Sequence, residues 1–240
     1  MAIYVTSDAH GHVRALDEAL SKISLTSDDT LYVLGDMIDR GPDPVGVIKL
    51  VRSLPNAHVL KGNHEQIMLD AIIGQDPLDA ETWDINGGWT TREQLNDMEF
   101  EAYEELVRWM AALPLYAVVE TEERPYLLVH AGIEMKAARA FLLEHGVDCA
   151  DGVGAVDADS ELLRQMLAVQ SSDDLLWIRH GYWDAPMGLL SAEGEGPVVV
   201  SGHTPTVSLG RYCEVGGLAG LDEESGRGQI VRLGGEDTAG

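Results

Sequence analysis

Asp8 and His10 stand two residues apart, directly after a short apolar run, Ala2–Thr6. On an extended backbone that spacing points both side chains the same way. A second run, Leu31–Leu34, is followed by Gly35-Asp-Met-Ile-Asp-Arg-Gly41, which carries Asp36, Asp39 and Arg40. A third, His58–Leu60, leads into Lys61 and then Gly62-Asn-His-Glu65, with Asn63 and His64. His130 follows a fourth run, Tyr126–Val129, and His203 follows a fifth, Val198–Val200, in Ser201-Gly-His-Thr-Pro205. The pooled groups are carboxylates, imidazoles and an amide oxygen, with no thiolate. Such a donor set suits divalent manganese, iron or zinc and argues against a structural zinc held by cysteines. Two metals about 3.5–4 Å apart need a bridging carboxylate, and such a pair activates a water while holding both attacking and leaving oxygens. Asp36 has the central position for that bridge. An isolated Asp-x-His is a common loop sequence. Asn-His-Glu after a strand has little structural reason to exist, and the ordered set points to a metal site.

These residues need elements that bring them together. Each of the five runs is too short for a helix and rich in β-branched or aromatic residues, which predicts strands. Val13–Ile23 places Leu16, Leu20 and Ile23 on one helical face, and Pro44–Leu54 does the same with Val47, Ile48 and Val51. Pro42 and Pro44 punctuate the start of the second helix. The alternation predicts β-α-β units with buried strands and ligands at their carboxyl ends, where open α/β folds bind. A helical section over about 65–113 comes next, with helices at Glu65–Ile73 and Met98–Leu113 and a break at Gly74–Pro77. Two further helices are predicted at 134–145 and 160–170. Strands return from about 197, with Asp222–Gly228 as a turn and 234–240 as a frayed tail. No repeat or linker divides the chain, so 1–240 reads as a single domain.

The chain has 240 residues, 45% of them apolar, enough for one α/β domain with a substantial core. No stretch approaches the roughly 20 apolar residues that span a bilayer. Met-Ala-Ile-Tyr-Val enters the first run without the basic and apolar parts of a secretion signal. Cys149 and Cys213 form neither a C-x-x-C nor a disulfide framework. Together these features predict a cytoplasmic protein. Acidic residues number 41 against 16 basic, a net charge of −25. Such a surface repels phosphate backbones, so general nucleic-acid binding is disfavoured.

The ordered set Asp8-Ala-His10-Gly11, Gly35–Gly41, Gly62–Glu65, His130 and Gly202-His203 resembles the calcineurin-like metallophosphoesterase superfamily, over residues 4 to about 206. Its Asp-Arg-Gly and Asn-His-Glu forms look like the phosphoprotein phosphatase branch. That branch includes bacterial and phage serine/threonine phosphatases and symmetrical diadenosine tetraphosphate hydrolases. Asn86-Gly87-Gly88-Trp89 and Leu175-Leu-Trp-Ile-Arg179 look like two further segments of these enzymes. The resemblance implies an α/β metallophosphoesterase fold, a central two-sheet β-sandwich flanked by helices. It implies two divalent metal ions, manganese first with iron or zinc as alternatives. Asp8, His10 and Asp36 would hold one, and Asp36, Asn63, His130 and His203 the other. His64 would be the general acid, oriented by Asp39, and Arg40 and Arg179 would grip phosphate.

The expected activity is hydrolysis of phosphomonoesters by a metal-activated water, with protein phosphoserine or phosphothreonine first. A dinucleoside polyphosphate is the alternative substrate, and a catalytically silent metal-binding interaction module the alternative class. Lys61 stands where the family has arginine, keeping the charge but not the fork, as a candidate phosphate contact. Cys213 and Glu214 stand where the family has an aspartate-threonine-glycine segment. Among the other histidines, His58 and His145 read as structural, His12 as a neighbour of the metals, and His180 as a candidate substrate contact. Trp83 and Trp89 are expected to pack rather than line the cleft.

Overall fold

The computed structural model describes residues 1–74, 76–149, 154–179, 189, 195–204 and 230–234, together with the backbone of two strands at 212–215 and 218–221. All five apolar runs are strands: β1 (Ile3–Thr6), β2 (Thr30–Val33), β3 (Ala57–Val59), β5 (Pro125–Val129) and β6 (Val198–Ser201). A strand not anticipated from the sequence, β4 (Tyr116–Glu120), pairs antiparallel with β5. Near the C-terminus lie β7 (Tyr212–Val215), β8 (Leu218–Leu221) and β9 (Val231–Leu233). The segment around Cys213 is therefore a strand, hydrogen-bonded to β8. The turn expected at Asp222–Gly228 and all but the first residue of the expected tail lie outside the described residues.

The strands form two sheets, ordered β3-β2-β1-β9 and β4-β5-β6-β8-β7. Strands β1, β2 and β3 are mutually parallel, as the β-α-β reading requires. In the second sheet β5, β6 and β8 are parallel neighbours. Side-chain alternation explains why β5 and β6 read as continuous apolar runs. Leu128, Val198 and Val200 meet Val5, Leu34 and Leu60 between the sheets. Their neighbours Leu127, Val129 and Val199 face the other way, into a cluster with Ala138, Leu142, Leu163 and Met166. A strand buried on both faces has no polar side to show.

The helices supplying those outer contacts are α7 (Met135–Glu144) and α8 (Ser160–Ala168), close to the expected ranges. On the outside of the first sheet lie α1 (Val13–Ile23) and α2 (Pro44–Ser53), whose Leu16, Leu20, Val47, Ile48 and Val51 pack on Leu31 and Val33. Asp43 caps α2 by accepting the Gly46 N–H, and Pro44 occupies its first turn. The helical section is four helices: α3 (Asn63–Ile73), α4 (Pro77–Ile85), α5 (Trp89–Asn96) and α6 (Phe100–Ala111). The short helix α9 (Ser172–Trp177) precedes Arg179. Helix α4 escapes a periodicity reading because it buries only Trp83, though Asp76 and Pro77 mark its start. Among the described residues no helix is long and apolar enough to cross a membrane.

Candidate metal centre

Chain leaving the carboxyl ends of β1, β2 and β6 turns sharply, and the turning residues carry the chemistry. Asp8, His10, Asp36, Asp39, Arg40 and His203 have φ of 56°, 41°, 54°, 68°, 64° and 62°. The left-handed region costs a non-glycine residue on the order of 1 kcal/mol or more, and such strain concentrates at functional sites. Ser24, a helix C-cap, is the one further case among the described residues.

Cross-links between loops hold the strained backbone. Asp8 N–H donates to the Gly35 carbonyl (3.1 Å) and His10 N–H to that of Asp36 (2.9 Å). His203 N–H donates to Asp8 Oδ2 at 2.9 Å, tying the fifth loop to the first. Glu65, fully buried, is the central anchor. Its Oε2 accepts the N–H groups of Asp36 and Gly62, and its Oε1 that of Met37, each at 2.8 Å. Glu65 thus faces backbone, binding the start of α3 to the loop after β2.

Around Asp36 two sets of donors converge. His10, Asp36 and His64 bring one ligand atom each within 4.8 Å of one another, and so do Asp36, His130 and His203. Asp36 is common to both sets. Its Oδ2 lies 3.6 Å from His10 Nε2, 4.0 Å from His64 Nε2 and 3.5 Å from His130 Nε2. Backbone carbonyls orient the imidazoles: His10 donates Nδ1–H to Ile38 (2.9 Å) and His130 donates Nδ1–H to Leu34 (2.8 Å). A neutral ring so held turns a lone pair on Nε2 toward Asp36, the usual arrangement of a metal-binding histidine. Asn63 Oδ1 lies 2.8 Å and His203 Nδ1 3.2 Å from His130 Nε2. Asp36, Asn63, His130 and His203 therefore bring polar atoms to one point. Asp8 adds a buried Oδ1 that has no hydrogen-bond partner among the described residues and lies 4.0 Å from His10 Nε2. An uncompensated buried carboxylate oxygen is costly. A divalent cation answers both features, so the donor set fits two metals sharing Asp36.

Next to this cluster His64 Nδ1 lies 2.7 Å from Asp39 Oδ2. Arg40 reaches His10 Nε2 with Nη1 (3.0 Å) and His64 Nε2 with Nη2 (2.9 Å). A guanidinium only donates, so His64 accepts at Nε2 and carries its proton on Nδ1, facing Asp39. Burial pushes the Asp39 carboxyl up to about 6, against the lowering effect of hydrogen bonds from Thr91 and Trp83. On the far side Arg179 Nη1 donates to the His203 carbonyl at 2.8 Å. The Trp177 ring stands edge-on to His203, with centroids 6.1 Å apart.

The structure thus gathers Asp8, His10, Asp36, Asp39, Arg40, Asn63, His64, His130, Arg179 and His203. Lys61 is turned elsewhere. Its amine donates to the Ala111 carbonyl at the end of α6 (3.3 Å) and to Gln66 Oε1 (3.4 Å). Exposed His12 is not in either donor set, and His58 and His145 stack on Tyr32 and Phe141 outside the site. His180 lies outside the described residues. Trp83 is buried, but its Nε1–H donates to Asp39, so it belongs to the site's surroundings rather than to packing alone. Trp89, expected to pack, is 61% exposed.

The profile of the calcineurin-like phosphoesterases matches residues 1–228. A Proteus mirabilis protein named as a symmetrical bis(5'-nucleosyl)-tetraphosphatase is 30% identical over 219 residues, 89% of this chain and 68% of its own. The chain spans about half the length of other curated relatives of that name. A solved structure titled as a candidate diadenosine tetraphosphatase is similar with a TM-score of 0.58 at 18% identity, over 98% of this chain and 90% of that one. A serine/threonine phosphatase from Saccharomyces cerevisiae gives 0.56 at 17%, over 92% and 67%. At these identities the likeness is one of fold, the two-sheet sandwich described above. Family profile, relative and fold agree with the donor geometry around Asp36, and the chain belongs to the calcineurin-like phosphoesterase family.

Proposed function

We propose that this chain is a metal-dependent phosphoesterase whose own acid–base and phosphate-binding groups surround the Asp36 cluster. The observation that carries this is the His64–Asp39 contact of 2.7 Å, set beside two convergent ligand sets. Asp8, His10 and Asp36 would hold one cation, and Asp36, Asn63, His130 and His203 the other. When bound, the pair, with manganese placed ahead of iron and zinc, supplies an activated water and Lewis acidity toward phosphate. Arg40 and Arg179 bind phosphoryl oxygens through planar forks and stabilise the charge that grows during transfer. Asp39 holds Nδ1–H of His64, so that a proton gained at Nε2 passes to the leaving oxygen.

For the substrate we place a dinucleoside tetraphosphate first. The Proteus relative supports this choice, being named for that substrate and aligned over most of this chain. Protein phosphoserine or phosphothreonine, placed first on sequence motifs alone, becomes the second reading. Both share the same hydrolytic core.

The experiment is a substrate panel on the metal-reconstituted protein: diadenosine tetraphosphate, a phosphothreonine peptide and an aryl phosphate, each with manganese, iron or zinc and with chelator. Symmetric cleavage of the tetraphosphate by one water gives two ADP; AMP with ATP would reject the symmetric reading. Turnover of the peptide alone would promote the second reading. No turnover of anything with any metal sinks the enzyme proposal and leaves a silent metal-binding module.

A further inference from the structure

Helices α4 and α5, with the Asn86-Gly87-Gly88 turn between them, have no ligand to contribute, yet they close on Asp39 and Arg40 from behind. Thr91 Oγ1 accepts the Asp39 N–H (2.9 Å) and lies 2.6 Å from Asp39 Oδ1. Since that oxygen already accepts from the backbone, its one proton is aimed at the carboxylate. Trp83 Nε1–H donates to the same carboxylate, 3.0 Å from Oδ1 and 3.2 Å from Oδ2. Gly87 accepts the Arg40 N–H at 3.1 Å. The two residues at left-handed φ after Ile38 are thus gripped by one helical hairpin.

The glycines explain how the hairpin comes so close. Gly87 has φ 91°, and a Cβ there would lie 3.0 Å from Arg40 Cγ. A Cβ on Gly88 would lie 2.2 Å from the Trp83 ring. A side chain at Gly88 would push the Trp83 ring off Asp39, and one at Gly87 would press on Arg40.

We infer that Thr91 and Trp83 are positioning residues, which act through Asp39 to hold the Nδ1–H of His64 and so fix the direction of its ring. The inference rests on the phosphoesterase reading for its kinetic test and on geometry alone for its spectroscopic one. Asp39 Oδ2 faces His64, while Oδ1 takes the Thr91 proton. A carboxylate held through both oxygens cannot rotate away from the imidazole, and a ring fixed in one tautomer is ready to pass a proton at the other nitrogen.

The test is Thr91→Val, which keeps the shape and removes both hydrogen bonds, with Thr91→Ser as the restoring variant. With bound metal content unchanged, the valine variant should lose about 10–100-fold in kcat on phenyl phosphate, the worth of one charge-assisted hydrogen bond, at little change in KM. The loss should be smaller on p-nitrophenyl phosphate, whose leaving oxygen needs less help from an acid. The serine variant should recover most of the rate. In the metal-free protein, the Nδ1–H proton assigned through His64→Asn should resonate well downfield in wild type, as a short hydrogen bond to Asp39 requires, and move upfield in Thr91→Val. Wild-type kcat, equal losses on both substrates, or an unmoved Nδ1–H resonance of His64 would overturn the inference. Should the valine variant fail to fold, Trp83→Phe, which removes the N–H together with part of the buried ring, is read on the same resonance and on the same pair of substrates. A wild type that cleaves no phosphoester would refute the activity reading, and the Nδ1–H resonance would then decide this one.

Discussion

Glu65 accepts the backbone N–H of Asp36 at 2.8 Å, so the residue after Asn63 and His64 fastens the loop that presents the shared carboxylate. A helix start from one strand and a turn from the next become one rigid piece. Three N–H groups on one buried carboxylate explain why glutamate follows Asn-His here. Its charge is neither a ligand nor an acid. It offsets the desolvated donors of a backbone bent into left-handed turns.

Glu65→Gln should therefore destabilise the protein. Glutamine keeps one acceptor and turns an N–H₂ toward backbone donors. Leaving a buried N–H without a partner costs about 1–3 kcal/mol. Urea unfolding should show that loss, and metal affinity should fall with it, because Asp36 loses its anchor. Wild-type stability in the glutamine variant would mean that the three contacts carry no net energy.

Asp39 links stability to pH. Its carboxyl is raised by burial from 3.8 to about 6. Because the folded value lies above the unfolded one, the folded protein holds the extra proton between about pH 4 and 6. The stability that Asp39 contributes is fully present below 3.8 and is lost as pH rises through about 6. The size is on the order of 2–3 kcal/mol. Asp39→Asn removes this dependence. In chelator, the variant's stability relative to wild type should rise between pH 4 and pH 7, as read by unfolding at several pH values. Parallel curves would show that Asp39 does not titrate there. At neutral pH Asp39→Asn should lower kcat by about 100-fold or more.

Much of this was legible in the residues, for a physical reason. Metal ligands must be polar, must sit where strands end, and must recur in order along the chain; no surface loop needs Asp-x-His, Gly-Asp-x-x-Asp-Arg-Gly and Gly-Asn-His-Glu in succession. Buried strands likewise announce themselves, because β5 and β6 are apolar on both faces. What stayed hidden acts indirectly. Thr91 and Trp83 do not touch the donor cluster, and neither residue type nor spacing distinguishes a threonine braced on a carboxylate from one on a helix surface. Gly87-Gly88 was the available signal, since adjacent glycines between two helices imply a close approach. Strand β4 ends at no ligand and is half-buried along much of its length, so it offered neither motif nor pattern. Lys61 carries the charge of a phosphate contact, and its amine donates to the carbonyl at the end of α6, a partner that sequence spacing does not reveal.

Arg179 tests the phosphate grip. One edge of its fork is held by the His203 carbonyl at 2.8 Å. Arg179→Ala should raise KM for a phosphoester by about 10–100-fold, the worth of a charge-assisted contact, with bound metal unchanged. Arg179→Lys should recover only part, since an ammonium lacks the fork. An unchanged KM in the alanine variant would remove Arg179 from the site. A loss of metal would make it a support for His203 instead.

His64 is the residue whose placement admits two readings. Its Nε2 comes within 4.0 Å of Asp36 Oδ2, inside a ligand set with His10, yet its Nδ1 is engaged by Asp39 at 2.7 Å. His130 stands on the same shared carboxylate, 3.5 Å away, with its Nδ1 given to a backbone carbonyl. An acid and a ligand differ in what their loss removes. His64→Asn should keep bound metal near the wild-type stoichiometry while lowering kcat by about 100–10,000-fold, the range of a general acid. His130→Asn should release metal, and activity with it. Metal content by elemental analysis after gel filtration, beside kcat at saturating metal, separates the two. If His64→Asn loses metal as completely as His130→Asn does, His64 is a ligand, and the proton for the leaving oxygen must come from another group.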